Sequence, residues 1–242
     1  MSRLDILNVL ADRQCDDGCN AVVRVFWCTG KNRKGALNII LASACSDKLA
    51  AAEAVAIRYL LSDQKVHGNN RTGSNLRLIV SKGALKKLSR QATQKLELYE
   101  YGYPLMTRYS EAEILVSKDR SWLPDAGNLL DIPCVDGESM KGIEKMETCH
   151  LGAIGVSRHA LERYGQCCGT LDLNASWQNL NRRLKGRLDN IALPYKVLLH
   201  KLSKYGEAPE IWKHPDNPLH FLFVSQGDCK VLVTVFNRKD FL

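Results

Sequence analysis

The chain has 242 residues, 45% of them apolar and 25% charged, with a formal charge of +8. That length allows one large domain or two small ones with real cores. No apolar run approaches the roughly 18–20 residues that a bilayer-spanning helix needs, which excludes an integral helical membrane protein. Met1-Ser2-Arg3-Leu4-Asp5 opens no long apolar segment, so no secretory leader is expected. The nine cysteines are odd in number and irregularly spaced, which argues against a disulfide framework or a structural zinc. Reduced thiols, and hence a cytoplasmic location, are the expectation.

Residues 4–12 are mostly apolar and end at Asp12, and 14–20 read as a turn around Asp16, Asp17, Gly18 and Asn20. Residues 21–28, with Val22, Val23, Val25, Phe26 and Trp27, and residues 37–45 are strand formers. Their short basic connection predicts a hairpin. Residues 47–61 are alanine-rich behind Ser46 and Asp47, two possible caps, and predict a helix with Glu53 set among alanines. A polar loop over 62–75 leads to a strand at 76–81. A basic amphipathic helix over 83–98 carries Lys86, Lys87, Arg90 and Lys95. An aromatic connection over 99–104 and a strand within 111–118 follow. Residues 119–148 hold Pro124, Gly127, Pro133, Gly137 and Gly142 with little periodicity. The organisation expected is a domain over 1–120, a linker over 121–148 and a second domain over 149–242.

Residues 155–164 read Gly-Val-Ser-Arg-His-Ala-Leu-Glu-Arg-Tyr. Ser157 stands where an N-cap belongs, and Ala160, Leu161 and Tyr164 form one apolar stripe behind it. His159 falls in the first turn, and Arg163 lies one helical turn further along the same face. A titratable imidazole beside a permanent cation can move a proton and hold a phosphate. Gly165 to Gly169 ends the helix. Residues 176–188 predict a second helix with a basic face of Arg182, Arg183, Lys185 and Arg187. Residues 194–204, with Tyr195, His200 and Lys201, predict a helix or strand, and 209–218 a loop. Two strands, 219–224 and 230–236, join through a turn at 225–228, with Arg238 beyond them. Residues 149–242 hold 13 basic against 8 acidic side chains, so the basic bias is concentrated there and points to nucleic acid or an acidic protein surface.

Over residues 4–120 the order strand, strand, strand, helix, strand, helix, strand resembles the ribonuclease H-like fold. In active members, carboxylates from the first strand, first helix and fourth strand converge on two magnesium ions. Asp12 matches the first position and Glu53 the second. The fourth strand ends in Val80-Ser81-Lys82 without a carboxylate, and Asp119 stands nearest the last strand. The resemblance therefore implies a scaffold without its metal chemistry. On a plainer reading, Asp12 is a strand-end carboxylate and Glu53 a helix-surface glutamate.

The region from residue 150 to the end, opened by Ser-Arg-His-Ala-x-x-Arg-Tyr and closed by Val-Leu-Val-Thr-Val-Phe, resembles the metal-independent RNase and toxin superfamily of RelE-like, barnase-like and colicin-type enzymes. Those enzymes make the RNA 2′-hydroxyl attack its own phosphodiester, which needs a base, an acid and cations. The resemblance implies His159 as general acid or base, Arg163 as phosphate clamp and Thr234 as a polar group from the sheet. Tyr164, His200 and Arg238 are further choices. Arg182, Arg183 and Arg187 would follow the RNA backbone, Trp212 or Tyr195 would stack a base, and Glu162 and Glu207 are candidate bases. The plainer alternatives are a capping or surface histidine and a solvated arginine face. Cys149 and His150 are the one pair near His159 that a metal could use; otherwise no metal or cofactor is implied.

The expected fold class is α+β in two domains, a ribonuclease H-like mixed sheet and a small helix-plus-antiparallel-sheet module. These likenesses imply a mobile-element protein that engages RNA. The chain also resembles plasmid fertility-inhibition proteins, small basic chains that block conjugation by engaging the coupling ATPase. In that role Trp122, Trp177 or Trp212 would anchor an interface. Non-catalytic DNA binding through the basic face is a third reading. None of the three involves membrane insertion.

Overall fold

Alternating burial builds the first sheet. In β2 (Asn20–Thr29) the side chains of Ala21, Val23 and Val25 are fully buried, the period-two pattern of a strand with one face on a core. A computed structural model describes residues 4–16, 19–30, 33–69, 71–90, 92–124, 131–170, 172–192, 199, 202–203, 208–227 and 229–237. The chain is α+β and divides into two units, Met1–Gly142 and Ile143–Leu242. No helix among the described residues is long and apolar enough to cross a membrane.

In the first unit, β1 (Asp5–Asp16), β2 and β3 (Lys34–Ala42) form an antiparallel meander. β4 (Leu76–Val80) lies parallel to β1, β5 (Glu113–Val116) parallel to β4, and β6 (Cys134–Asp136) parallel to β3. The sheet order is β5-β4-β1-β2-β3-β6. The helix α1 (Lys48–Arg58) begins at Asp47, whose carboxylate accepts the Ala50 N–H at 3.2 Å, and it runs into a π turn at Tyr59–Asp63. Its alanines Ala50, Ala51, Ala52, Ala54 and Ala56 are buried in the core shared with Leu7, Val9, Ile39 and Leu78, since small side chains let the helix axis approach the sheet.

The single helix expected over 83–98 is two, α2 (Gly83–Ser89) and α3 (Leu96–Tyr101). Short polar side chains divert the backbone between them. The Ser89 hydroxyl donates to the Lys86 carbonyl at 3.0 Å, and the Thr93 hydroxyl accepts the Lys95 N–H at 3.2 Å. The aromatic connection at 99–104 is largely helical and continues into α4 (Tyr103–Met106), with Tyr101 buried. The stretch expected as linker instead supplies β6 to this sheet. Within it, Trp122, Leu123 and Ile132 pack on a cluster of Leu10, Phe26 and Ala36, so apolar side chains there cover part of the sheet rather than spacing two domains.

In the second unit, β7 (Lys145–Thr148) and β8 (Gly152–Val156) precede α5 (Arg158–Cys167) and α6 (Leu173–Lys185). β9 (Asp189–Ile191), β10 (Glu210–Lys213), β11 (Leu219–Gln226) and β12 (Cys229–Asn237) follow. The order is β7-β8-β12-β11-β10-β9, with β8 parallel to β12 and every other pair antiparallel. Ala160, Leu161 and Tyr164 of α5 and Trp177, Leu180 and Leu184 of α6 share a core with Phe221, Phe223, Leu232 and Val235. β10 lies where a loop was expected. Of 194–204, only 199 and 202–203 are described.

One buried side chain ties three elements of the first unit together. A bulge interrupts the β1–β2 register between Ala11 and Arg13. There the Ala11 N–H points to Glu53 of α1 at 3.0 Å. The same carboxylate accepts the Ser81 and Lys82 N–H groups, each at 3.1 Å, and the Ser81 hydroxyl, all just past the end of β4. Burial pushes its pKa above the usual carboxylate range, against the pull of those four hydrogen bonds. Glu53→Ala leaves the buried donors without a partner and is expected to cost about 3 kcal/mol or more. Hydrogen exchange at the Ala11, Ser81 and Lys82 amides should accelerate accordingly, and unchanged protection would contradict the clamp.

Candidate functional site

The second unit's site starts where β8 hands over to α5. Val156 pairs with Leu232 of β12, and the Ser157 N–H donates to the Leu232 carbonyl at 3.0 Å. The Ser157 hydroxyl accepts the Ala160 N–H at 3.1 Å and lies 3.3 Å from the Val233 carbonyl, to which it donates. The first turn of α5 is thereby capped and fastened to β12. With Ala160, Leu161 and Tyr164 turned into the core, His159 is exposed. On β12 a bulge at Val233 lets both Leu232 and Val235 enter the core and leaves Thr234 half-buried. The Thr234 hydroxyl lies 3.5 Å from His159 Nε2, the long end of hydrogen-bonding distance.

Arg163 is half-buried, and its Nη1 donates to the neutral Gln166 side chain at 2.8 Å. Glu162, expected as a candidate base, pairs with Arg158 at 2.7 Å, an exposed ion pair that contributes little to stability. His159 of α5 thus meets Thr234 of β12, and Arg163 lies one helical turn further along α5. The imidazole and guanidinium are on one helix face, and no carboxylate pairs with either among the described residues.

Tyr164 is buried and offers no face to a base. Its phenol oxygen accepts Arg183 Nε at 2.8 Å. Burial, together with the Cys168 thiol, pushes the phenol up to about 12, against the opposing pull of Arg183. Its role is to orient Arg183, which corrects its assignment as a contact residue. Arg182 is exposed, and Arg187 is paired with Asp189 at 3.2 Å. Trp212 is also committed. Its indole N–H donates to Glu210 at 2.8 Å, its ring packs on the core, and Lys230 Nζ sits 5.9 Å from the ring centre. Trp177 is buried and Trp122 is packed on the first sheet, which removes Trp177 as an interface anchor. His200, Arg238, Tyr195 and Glu207 lie outside the described residues.

A cavity of about 350 Å³, lined by Asn179, Arg182, Arg183, Gly186 and His214, opens on α6 and the loop after β10. Asn179 and His214 were not foreseen. The three α6 positions, Asn179, Arg182 and Arg183, recur at helical spacing opposite the buried Trp177, Leu180 and Leu184, a polar stripe readable in the sequence. His214 arrives from a distant loop and leaves no local signal.

In the first unit the carboxylates that a two-metal centre would use are engaged with protein donors. Glu53 is fully buried on three amides and a hydroxyl, which corrects the helix-surface reading. Asp12 pairs with Arg120 at 2.7 Å, and Asp119 accepts the Ser121 N–H and hydroxyl at 2.9 and 3.1 Å. Cys149 and His150 sit in the exposed turn between β7 and β8. No group of three or more His, Cys, Asp and Glu among the described residues could hold a metal ion.

Because Ser157 both caps α5 and ties it to β12, Ser157→Ala is expected to destabilise the second unit by about 1 kcal/mol. His159→Ala, at an exposed position, is expected to stay within about 0.5 kcal/mol of the parent. Urea titration followed by tryptophan fluorescence measures both, and equal effects would contradict the assigned roles. Comparison of the chain with family models, curated proteins and solved structures finds no match to any of them.

Proposed function

We propose that the second unit binds RNA and cleaves it without a metal ion. The observation that carries this reading is the exposed His159 imidazole within 3.5 Å of the Thr234 hydroxyl, with Arg163 one helical turn away and bonded only to a neutral amide among the described residues. His159 takes the proton from a ribose 2′-hydroxyl as that oxygen attacks the adjacent phosphorus. Arg163 meets the negative charge that builds on the non-bridging oxygens. Thr234 steadies the imidazole. The bond from phosphorus to the 5′-oxygen breaks, that oxygen takes its proton from solvent while the imidazolium returns its own to solvent, and the products are a 2′,3′-cyclic phosphate and a 5′-hydroxyl. Arg182 and Arg183 add backbone contacts, so affinity falls steeply with salt. The reading locates the protein in the cytoplasm of a bacterium carrying a mobile element.

The first unit, on this reading, is a ribonuclease H-like scaffold without metal chemistry. Its strand order supports this, with β4 and β5 added in parallel beside β1 of an antiparallel meander. A second reading draws on the same unit. Because Glu53, Asp12 and Asp119 are all engaged with protein donors, that half offers surface without chemistry. A basic chain of this kind could inhibit conjugation by docking on an acidic face of a coupling ATPase.

Labelled RNA incubated with the protein in EDTA separates the two. Cleavage to cyclic-phosphate ends is expected, with His159→Ala slower by roughly 100-fold or more and Arg163→Lys retaining more activity than Arg163→Ala. RNA left intact by the wild-type chain overturns the nuclease reading, and tight binding to a coupling ATPase would then favour the second.

A further inference from the structure

The α6 cavity has the composition of an anion site. Asn179, Arg182 and Arg183 stand on one stripe of α6, Gly186 follows just past its end, and His214 closes the cavity from the loop after β10. Among the described residues no carboxylate belongs to the lining. Two of the donors are held in place before any ligand arrives. Arg183 Nε is fixed on the buried Tyr164 phenol at 2.8 Å, which leaves its terminal nitrogens to donate elsewhere. His214 Nδ1 accepts the Asp216 N–H at 3.1 Å, which assigns the proton of the neutral ring to Nε2 and makes that nitrogen a donor. Gly186 adds no side chain to fill the space. The partial negative charge at the C-terminal end of α6 opposes an anion there, but two full guanidinium charges outweigh it.

We infer that this cavity binds a phosphate group, held by Arg182, Arg183, His214 and Asn179, separately from the phosphate handled at His159. That the phosphate belongs to RNA rests on the reading of the second unit given above; the anion site itself does not. Arg187 supplies the contrast. It is equally cationic and close in sequence, but it is paired with Asp189 and absent from the lining. It contributes to the general field, while Arg182 makes a directed contact.

The test uses the full chain carrying His159→Ala, so that RNA stays intact. Inorganic phosphate and a short RNA, with either a 5′-phosphate or a 5′-hydroxyl, are titrated calorimetrically. Arg182→Ala and His214→Ala are each expected to weaken phosphate binding roughly tenfold, the scale of a lost charge-assisted hydrogen bond, and Arg187→Ala by less than about threefold. A tenfold preference for the 5′-phosphorylated RNA identifies a terminal phosphate as the ligand. Equal affinity for the two RNAs, still lowered by Arg182→Ala, identifies an internal phosphodiester. Phosphate binding that depends on Arg182 and His214 without any RNA binding keeps the site and removes its RNA source. If inorganic phosphate does not bind, or if Arg187→Ala costs as much as Arg182→Ala, the inference is overturned.

Discussion

The first unit depends on the placement of one buried carboxyl group. Glu53 projects from α1 into a space where the β1 bulge and the chain leaving β4 present backbone amides. Helix and strands could pack through alanine and valine alone, but packing of that kind tolerates sliding. Four directed hydrogen bonds do not, and they fix which turn of α1 faces which residue of the sheet. The same geometry denies the carboxylate a catalytic part, since its oxygens are already surrounded by donors. The bonds that hold the helix and strands in register are thus the same ones that occupy the carboxyl oxygens.

The second unit uses a lighter device for a related purpose. Ser157 bonds forward into α5 and sideways onto β12, so an exposed histidine is held beside a strand residue without being buried. Tyr164 does the corresponding work for Arg183. In each case an inward-facing group is spent on positioning, and an outward-facing one is left with its donors or protons available.

Much of the architecture was legible because periodicity is a local property. The β2–β3 hairpin, the alanine-rich α1, the capped α5 and the arginine face of α6 were all readable from spacing. The linker was misread because Trp122, Leu123 and Ile132 look like scattered apolar residues until the sheet they cover is known. The break between α2 and α3 turned on hydroxyl groups of Ser89 and Thr93 competing for backbone partners, a small energetic difference that propensity sums do not resolve. At the site, helical spacing placed His159 and Arg163 together, but it could not tell that Tyr164 turns inward to an arginine or that Trp212 is already occupied. Glu53 was singled out by element order and assigned the wrong surroundings, because the donors that enclose it come from residues 11, 81 and 82.

The parallel pairing of β8 with β12 also has a temporal side. The Ser157 hydroxyl reaches a carbonyl 76 residues further along the chain, and Thr234 meets His159 across 75. During synthesis α5 emerges well before its anchor, so a nascent chain carries the imidazole on an unfastened helix until β12 is made. Closing such a long loop is slow compared with forming the helix itself. A chain halted before β12 would display every residue of the helix without the carbonyl and the hydroxyl that Ser157 and His159 meet there.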